Sequence, residues 1–184
     1  MILKKDYLKN TNLILYQEKE IQTRVTELGE QITKDYEGKD IVLVSVLRGG
    51  AIFMADLARK INLPLEMDFM AVSSYGSSAT SSGHVTILKD LSSSIEGKHV
   101  IIAEDILDTG LTLEYLIRIL KERKPLSIQI AAFMKKEGAQ KVEVPCKYVG
   151  FDCPNEFVVG YGLDYAERYR NLPYVGVLSP EVYS

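Results

Sequence analysis

VIIAEDILDTGLTL, residues 100–113, is the stretch from which the fold of this chain can be read. Val100, Ile101, Ile102 and Ala103 form an unbroken apolar run, the pattern of a strand buried on both faces. Glu104 and Asp105 follow where such a strand reaches the surface. Asp108, Thr109 and Gly110 come next, and after Leu111 and Thr112 the apolar residues Leu113, Leu116, Ile117 and Leu120 recur at helical spacing. A strand, a polar turn and a helix in succession aim free backbone N–H groups and the positive helix end at an anion. Gly110 allows close backbone approach, while Thr109 and Thr112 offer hydroxyl donors.

The loop lacks the Gly-Lys-Ser/Thr ending of a Walker phosphate loop. Its three acids would repel a naked triphosphate, so they imply another task. A vicinal pair of sugar hydroxyls, or a magnesium ion sharing that sugar, satisfies Glu104 and Asp105. Acids alone at a helix start are common, because they match the helix dipole. The complete series of apolar strand, Glu-Asp, and Asp-Thr-Gly-x-Thr is what points to a phosphosugar.

The flanking sequence repeats the alternation. A helix is expected over 18–36, where Ile21, Val25, Leu28 and Ile32 share a face. An apolar strand over 41–47 ends in Arg48-Gly49-Gly50, and a helix over 51–61 follows. Strands are expected over 65–72, 85–88, 99–103 and 127–133, and a helix over 112–122. Strands and helices of these lengths make a mainly parallel α/β sheet with helices on both faces. Ligands of such sheets bind beyond the C-terminal strand ends, where both Arg48-Gly49 and residues 104–112 fall. From Tyr148 onward, short strands at 149–151 and 157–159 predict a small hood rather than a second domain. Residues 1–16 join that hood, the core runs from 37 to 147, and all 184 residues form one domain.

Composition sets the outer bounds. With 46% hydrophobic and 26% charged residues, the chain is an ordinary globular protein. A net charge of −3 gives no support for nucleic-acid binding. No apolar run is long enough to span a bilayer, and no leader precedes the first helix, which implies a cytoplasmic protein. The two cysteines, Cys146 and Cys153, are too few for a disulfide framework and have no metal-ligand companions nearby. His84 and His99 lack acid or nucleophile partners and read as structural.

The 100–113 segment resembles the phosphoribosyl-pyrophosphate signature of the type I phosphoribosyltransferases. In detail it is similar to the bacterial members that act on 6-oxopurines, and the likeness runs from about Glu18 to the C-terminus. It implies transfer of a 5-phosphoribosyl group to N9 of hypoxanthine or guanine, with Mg2+ as cofactor. Glu104 and Asp105 would hold the ribose, directly or through the metal, and residues 108–112 (Asp108, Thr109, Gly110, Leu111, Thr112) the 5′-phosphate. Asp108 would be the acid–base residue at purine N7. Arg48, Gly49 and Arg170 would contact pyrophosphate, through a cis peptide expected at Arg48-Gly49. Lys136, with Lys135 as the fallback, would read the 6-oxo group, Phe157 would stack on the base and the Val158 backbone would read its edge. Asp164 would stand near a second magnesium and the purine. The small, polar stretch 73–84 reads as a surface loop; the resemblance makes it a lid in which Ser74 and Tyr75 cover the site. Family habit also implies a homodimer or homotetramer. The rivals are a regulator that senses the same phosphosugar, or an RNA-binding relative, for which the composition shows no basic face.

Overall fold

The computed structural model describes residues 10–74 and 85–183. Its larger sheet has six strands: β2 (Ile41–Leu47), β3 (Leu65–Ser74), β4 (Val85–Lys89), β5 (His99–Leu107), β6 (Ser127–Lys136) and β7 (Cys146–Cys153). They lie in the order β4-β3-β2-β5-β6-β7, and every neighbouring pair is parallel except β3 with β4. Helices α1 (Glu18–Asp35) and α2 (Gly50–Lys60) pack on one face, and α3 (Leu111–Lys121) on the other.

Alternation along the strands produces the two faces. Ile41 and Leu43 of β2 and Ile101 and Ala103 of β5 meet Ile21, Val25 and Leu28 of α1 and Phe53 and Leu57 of α2. Val42, Val44, Val100 and Ile102 point the opposite way, onto Leu113, Leu116 and Leu120 of α3. Both layers are fully buried, which explains why β2 and β5 read as continuous apolar runs.

A second, three-stranded sheet in the order β1-β9-β8 joins β1 (Thr11–Tyr16), β9 (Val175–Leu178) and β8 (Val158–Val159). Its own core contains Val159, Tyr169, Leu172, Tyr174 and Leu178. Tyr16 ties it to the larger sheet by stacking on Phe151 at 4.1 Å and donating its hydroxyl to the Asp152 carbonyl. A short helix α4 (Pro180–Tyr183) follows β9.

Three expectations change. The strand at 149–151, expected in the hood, belongs to β7 at the edge of the large sheet, paired with β6 and clasped by Arg24 of α1. Strand β5 does not stop at Ala103; it carries Glu104 and Asp105 inside it and ends at Leu107, because pairing with β6 continues to Lys135. Pairing with β7, which reaches Cys153, likewise carries β6 through Lys136, so both lysines are strand residues rather than residues past a strand end. The expected lid at 73–84 lies outside the described residues, Tyr75 included, apart from Ser73 and Ser74 at the end of β3.

Candidate active site

Parallel strands put their C-terminal ends on one side of the sheet, and adjacent strands β2, β5 and β6 deliver different chemistry there. Leaving β2, the chain has a cis peptide at Leu47-Arg48, one bond before the expected Arg48-Gly49. Gly49 has already adopted the helical conformation as the cap of α2, so the turn is completed upstream of it. A Cβ on Gly49 would stand 1.6 Å from Asp105 Oδ2, and one on Gly162 would stand 2.3 Å from the Gly49 carbonyl. Three segments distant in sequence thus meet in a junction that admits no side chain on either glycine.

Asp105 faces this junction from β5, while Glu104, the preceding strand residue, lines the cavity of the loop that follows. Burial pushes the Glu104 carboxyl well above the usual carboxylate range, and the neighbouring Asp105 charge and a hydrogen bond between the two add to it. Burial raises Asp105 as well, opposed by the Ile106 amide, by Glu104 and by the Arg170 charge. Glu104 Oε2 is shut off from solvent without a hydrogen-bond partner among the described residues. A buried, unpartnered carboxylate oxygen is costly, and a bound hydroxyl or a hard cation would relieve it.

The loop after β5 supplies the anion-receptive part. Gly110, at φ 81°, caps α3, and the amides at the start of that helix have no acceptor within it. Glu104, Asp108, Thr109, Gly110 and Thr112 line one cavity of about 150 Å³. Leu111, the first residue of α3, keeps an exposed side chain, so only its backbone can serve.

A second cleft of about 260 Å³ opens beside it, lined by Asp105, Ile106, Glu156, Phe157, Val158, Leu163 and Asp164. Phe157 is 40% exposed, one of the few large apolar rings so open, and the edges of Tyr165 and the face of Tyr183 pack against it. Lys136 ends β6 beside Cys153 of β7. Burial raises the Cys153 thiol, which the Lys136 charge opposes and the Asp108 charge reinforces. Lys135 instead lines a separate cleft of about 430 Å³ with Leu107, Gln140, Lys141, Val144 and Cys146.

Arg170 closes the arrangement. It donates to the Gly162 carbonyl at 2.8 Å and pairs with Asp164 at 2.9 Å. Glu167 pairs with Arg48 at 2.5 Å and approaches Arg170 at 3.4 Å. Desolvation is the largest single influence on the Glu167 carboxyl and raises it, but the bonds from Arg170 and Arg48 and their charges together hold it below the usual range. Glu104, Asp105 and Asp164 do not gather into a three-carboxylate metal cluster among the described residues; Asp164 is engaged by Arg170 and by the Glu167 amide. Any cation must therefore draw most of its ligands from substrate and water.

Of the residues singled out in the sequence, Asp105, Asp108 and Phe157 line these clefts and Arg170 pairs with Asp164 at their wall, whereas Lys136 lines neither; the sequence reading misses Glu167, Gly162, Ile106 and Leu163. Glu167 finds Arg48 across 119 positions, for which the sequence holds no signal. Gly162 offered a weak one, a glycine inside an aromatic strand-like run.

Comparison with known proteins agrees with this geometry. A family model described as the phosphoribosyl transferase domain matches residues 12–166. A hypoxanthine-guanine phosphoribosyltransferase of Bacillus subtilis is 52% identical over 170 residues, covering 92% of this chain and 94% of the relative. The bifunctional protein TilS/HprT of Listeria monocytogenes is also 52% identical, over 171 residues, but there the chain spans only 26% of the relative's length. The crystal structure of a hypoxanthine phosphoribosyltransferase from Staphylococcus aureus superposes with a TM-score of 0.95 at 49% identity, covering 99% of both chains. The chain thus belongs to the phosphoribosyltransferase family.

Proposed function

We propose that the chain transfers the 5-phosphoribosyl group of phosphoribosyl pyrophosphate to N9 of hypoxanthine or guanine, releasing pyrophosphate. One observation carries the reading: the buried Glu104 and the anion-receptive helix start line one cavity, Asp105 and Phe157 line an adjoining cleft, and Ile106 lines both. A phosphosugar needs the cavity and a planar base needs the cleft.

The reacting ribose carbon gains oxocarbenium character, so positive charge must be tolerated there and negative charge on the leaving group. Glu104 and Asp105 hold the ribose hydroxyls and place carboxylate charge beneath that carbon. Backbone amides and hydroxyls of residues 108–112 hold the 5′-phosphate. Arg48, Gly49 and Arg170 receive the pyrophosphate, for which Glu167 must release the two guanidinium groups. Phe157 stacks on the base, the Val158 backbone reads its edge and Lys136 donates to O6. Lys136 is preferred to Lys135 because Lys135 lines the other cleft. Asp108 shares the N7 proton as N9 attacks.

The unpartnered Glu104 oxygen and the adjacent Asp105 fit a hard divalent cation such as Mg2+. When bound, such an ion neutralises pyrophosphate charge and orients it against the ribose hydroxyls. Asp164 lines the cleft and would supply a further carboxylate oxygen to a second ion held there. By family resemblance Ser74 and Tyr75 cover the site, the chain acts as one domain with the β1-β9-β8 sheet as its hood, and copies assemble as dimers or tetramers in the cytoplasm.

A purine panel tests the proposal. With phosphoribosyl pyrophosphate and Mg2+, hypoxanthine and guanine should release pyrophosphate and adenine should release little, since its 6-amino group cannot accept from Lys136. Turnover of adenine alone, or of no base, overturns it.

A further inference from the structure

We infer that Gln140 is a positioning residue that sets the spacing between the group acting at purine N7 and the group reading purine O6. The inference rests on the proposed function and adds a residue to it. Asp108 leaves β5 and Lys136 ends β6, and both must touch one rigid heterocycle at two fixed points. The β5–β6 ladder is recorded as far as Leu107 opposite Lys135, just short of both groups. Beyond it, the side-chain amide of Gln140 takes over. Its nitrogen donates to the Lys136 carbonyl at 2.5 Å and to the Asp108 carbonyl at 3.2 Å. An amide nitrogen carries two protons, so both carbonyls are served by one group.

The surroundings support that role over a surface contact. Lys141 donates its backbone amide to the Thr109 carbonyl at 2.9 Å, so residues 140 and 141 both hold the phosphate loop. Gly110 lies against Val142, where an added Cβ would come within 3.1 Å of the Val142 carbonyl. The turn after β6 is thereby fastened to the turn after β5, with Gln140 at the only described point where one side chain spans both. An ordinary clasp of the 136–140 turn would need the Lys136 bond alone. The Asp108 bond belongs to the active region.

Three variants separate these roles: Gln140→Leu removes the donors at similar size, Gln140→Glu presents acceptors to two carbonyls, and Gln140→Arg restores donors. With saturating phosphoribosyl pyrophosphate, Gln140→Leu should lower kcat for hypoxanthine about tenfold and narrow the preference for hypoxanthine over adenine by a similar factor, since small misplacement at the reacting centre is costly. Donor binding, measured by calorimetry with Mg2+, should stay within about twofold, because the amides that hold the 5′-phosphate remain. Gln140→Glu should be worse, and Gln140→Arg should recover most of the loss. An active wild type whose Gln140→Leu variant keeps full kcat and base preference overturns this inference alone. So does a loss shared equally by every base and tracking a lowered melting point, which a mere turn clasp would give. A wild type that turns over no 6-oxopurine overturns the proposed function, and this inference with it.

Discussion

At the scale of single residues, the site holds groups whose solvation has been sacrificed to a task. Glu104 is the clearest. Its folded pKa lies above the unfolded one, so the folded state binds the proton more readily and stability falls as pH rises through that interval. Replacing the charge should therefore help the empty fold and harm the function. Glu104→Gln is expected to raise the melting point by roughly 2–4 °C, the effect of about 1 kcal/mol in a chain of this size. The same variant should lose Mg2+-dependent uptake of phosphoribosyl pyrophosphate. A melting point that falls would show the burial cost to be met by a partner in solution. Asp108→Asn should keep donor binding and lose turnover by roughly a hundredfold or more; near-normal kcat would remove Asp108 from its role. Lys136→Gln should weaken 6-oxopurines selectively, and an equal loss with adenine would contradict it.

How much of this was legible depends on contiguity. Glu104, Asp105 and residues 108–112 lie in one motif, so their chemistry could be read from one line of sequence. Glu167 and Gln140 act on partners that adjacency in the fold supplies, through an ion pair to Arg48 and bonds to two backbone carbonyls. Neither leaves a pattern in composition or spacing.

At the scale of elements, periodicity located α1, α2, α3 and β2 to within a residue, since burial on both faces leaves an unbroken apolar record in β2. It failed where charge enters a strand. Glu104 and Asp105 looked like the end of β5, yet Leu107 is only 1% exposed and the ladder runs past them. It failed again at β7, CKYVGFDC, whose half-polar pattern suits an edge strand of either sheet. The structure assigns β7 partly through Arg24, which donates to the carbonyls of Gly150 at 2.9 Å and Val149 at 2.8 Å. Arg24→Met should leave those carbonyls short of donors and cost about 1–2 kcal/mol in urea unfolding. An unchanged midpoint would mean that β7 is held by β6 alone.

For the whole molecule, acid should act mainly through carboxylates remote from the site. The bidentate Arg123 contact holds Asp90 below its ordinary 3.8. Asp68 is held low as well, since the Phe69 and Ser92 amides and Lys89 outweigh its burial. Folded pKa values below the unfolded ones give stability that is present above about pH 4 and lost as pH falls through the folded values. The melting point should therefore drop steeply below that pH, and Asp90→Asn should flatten part of the drop. No helix among the described residues is long and apolar enough to cross a membrane. The central claim concerns what the crevice beyond β2 and β5 holds, and calorimetric titration of the wild-type chain with phosphoribosyl pyrophosphate addresses it most directly. Saturable binding of one donor per chain, strengthened by Mg2+ and lost in Glu104→Gln, is the predicted result. No heat of binding with Mg2+ present, or uptake that Glu104→Gln leaves untouched, would contradict the account.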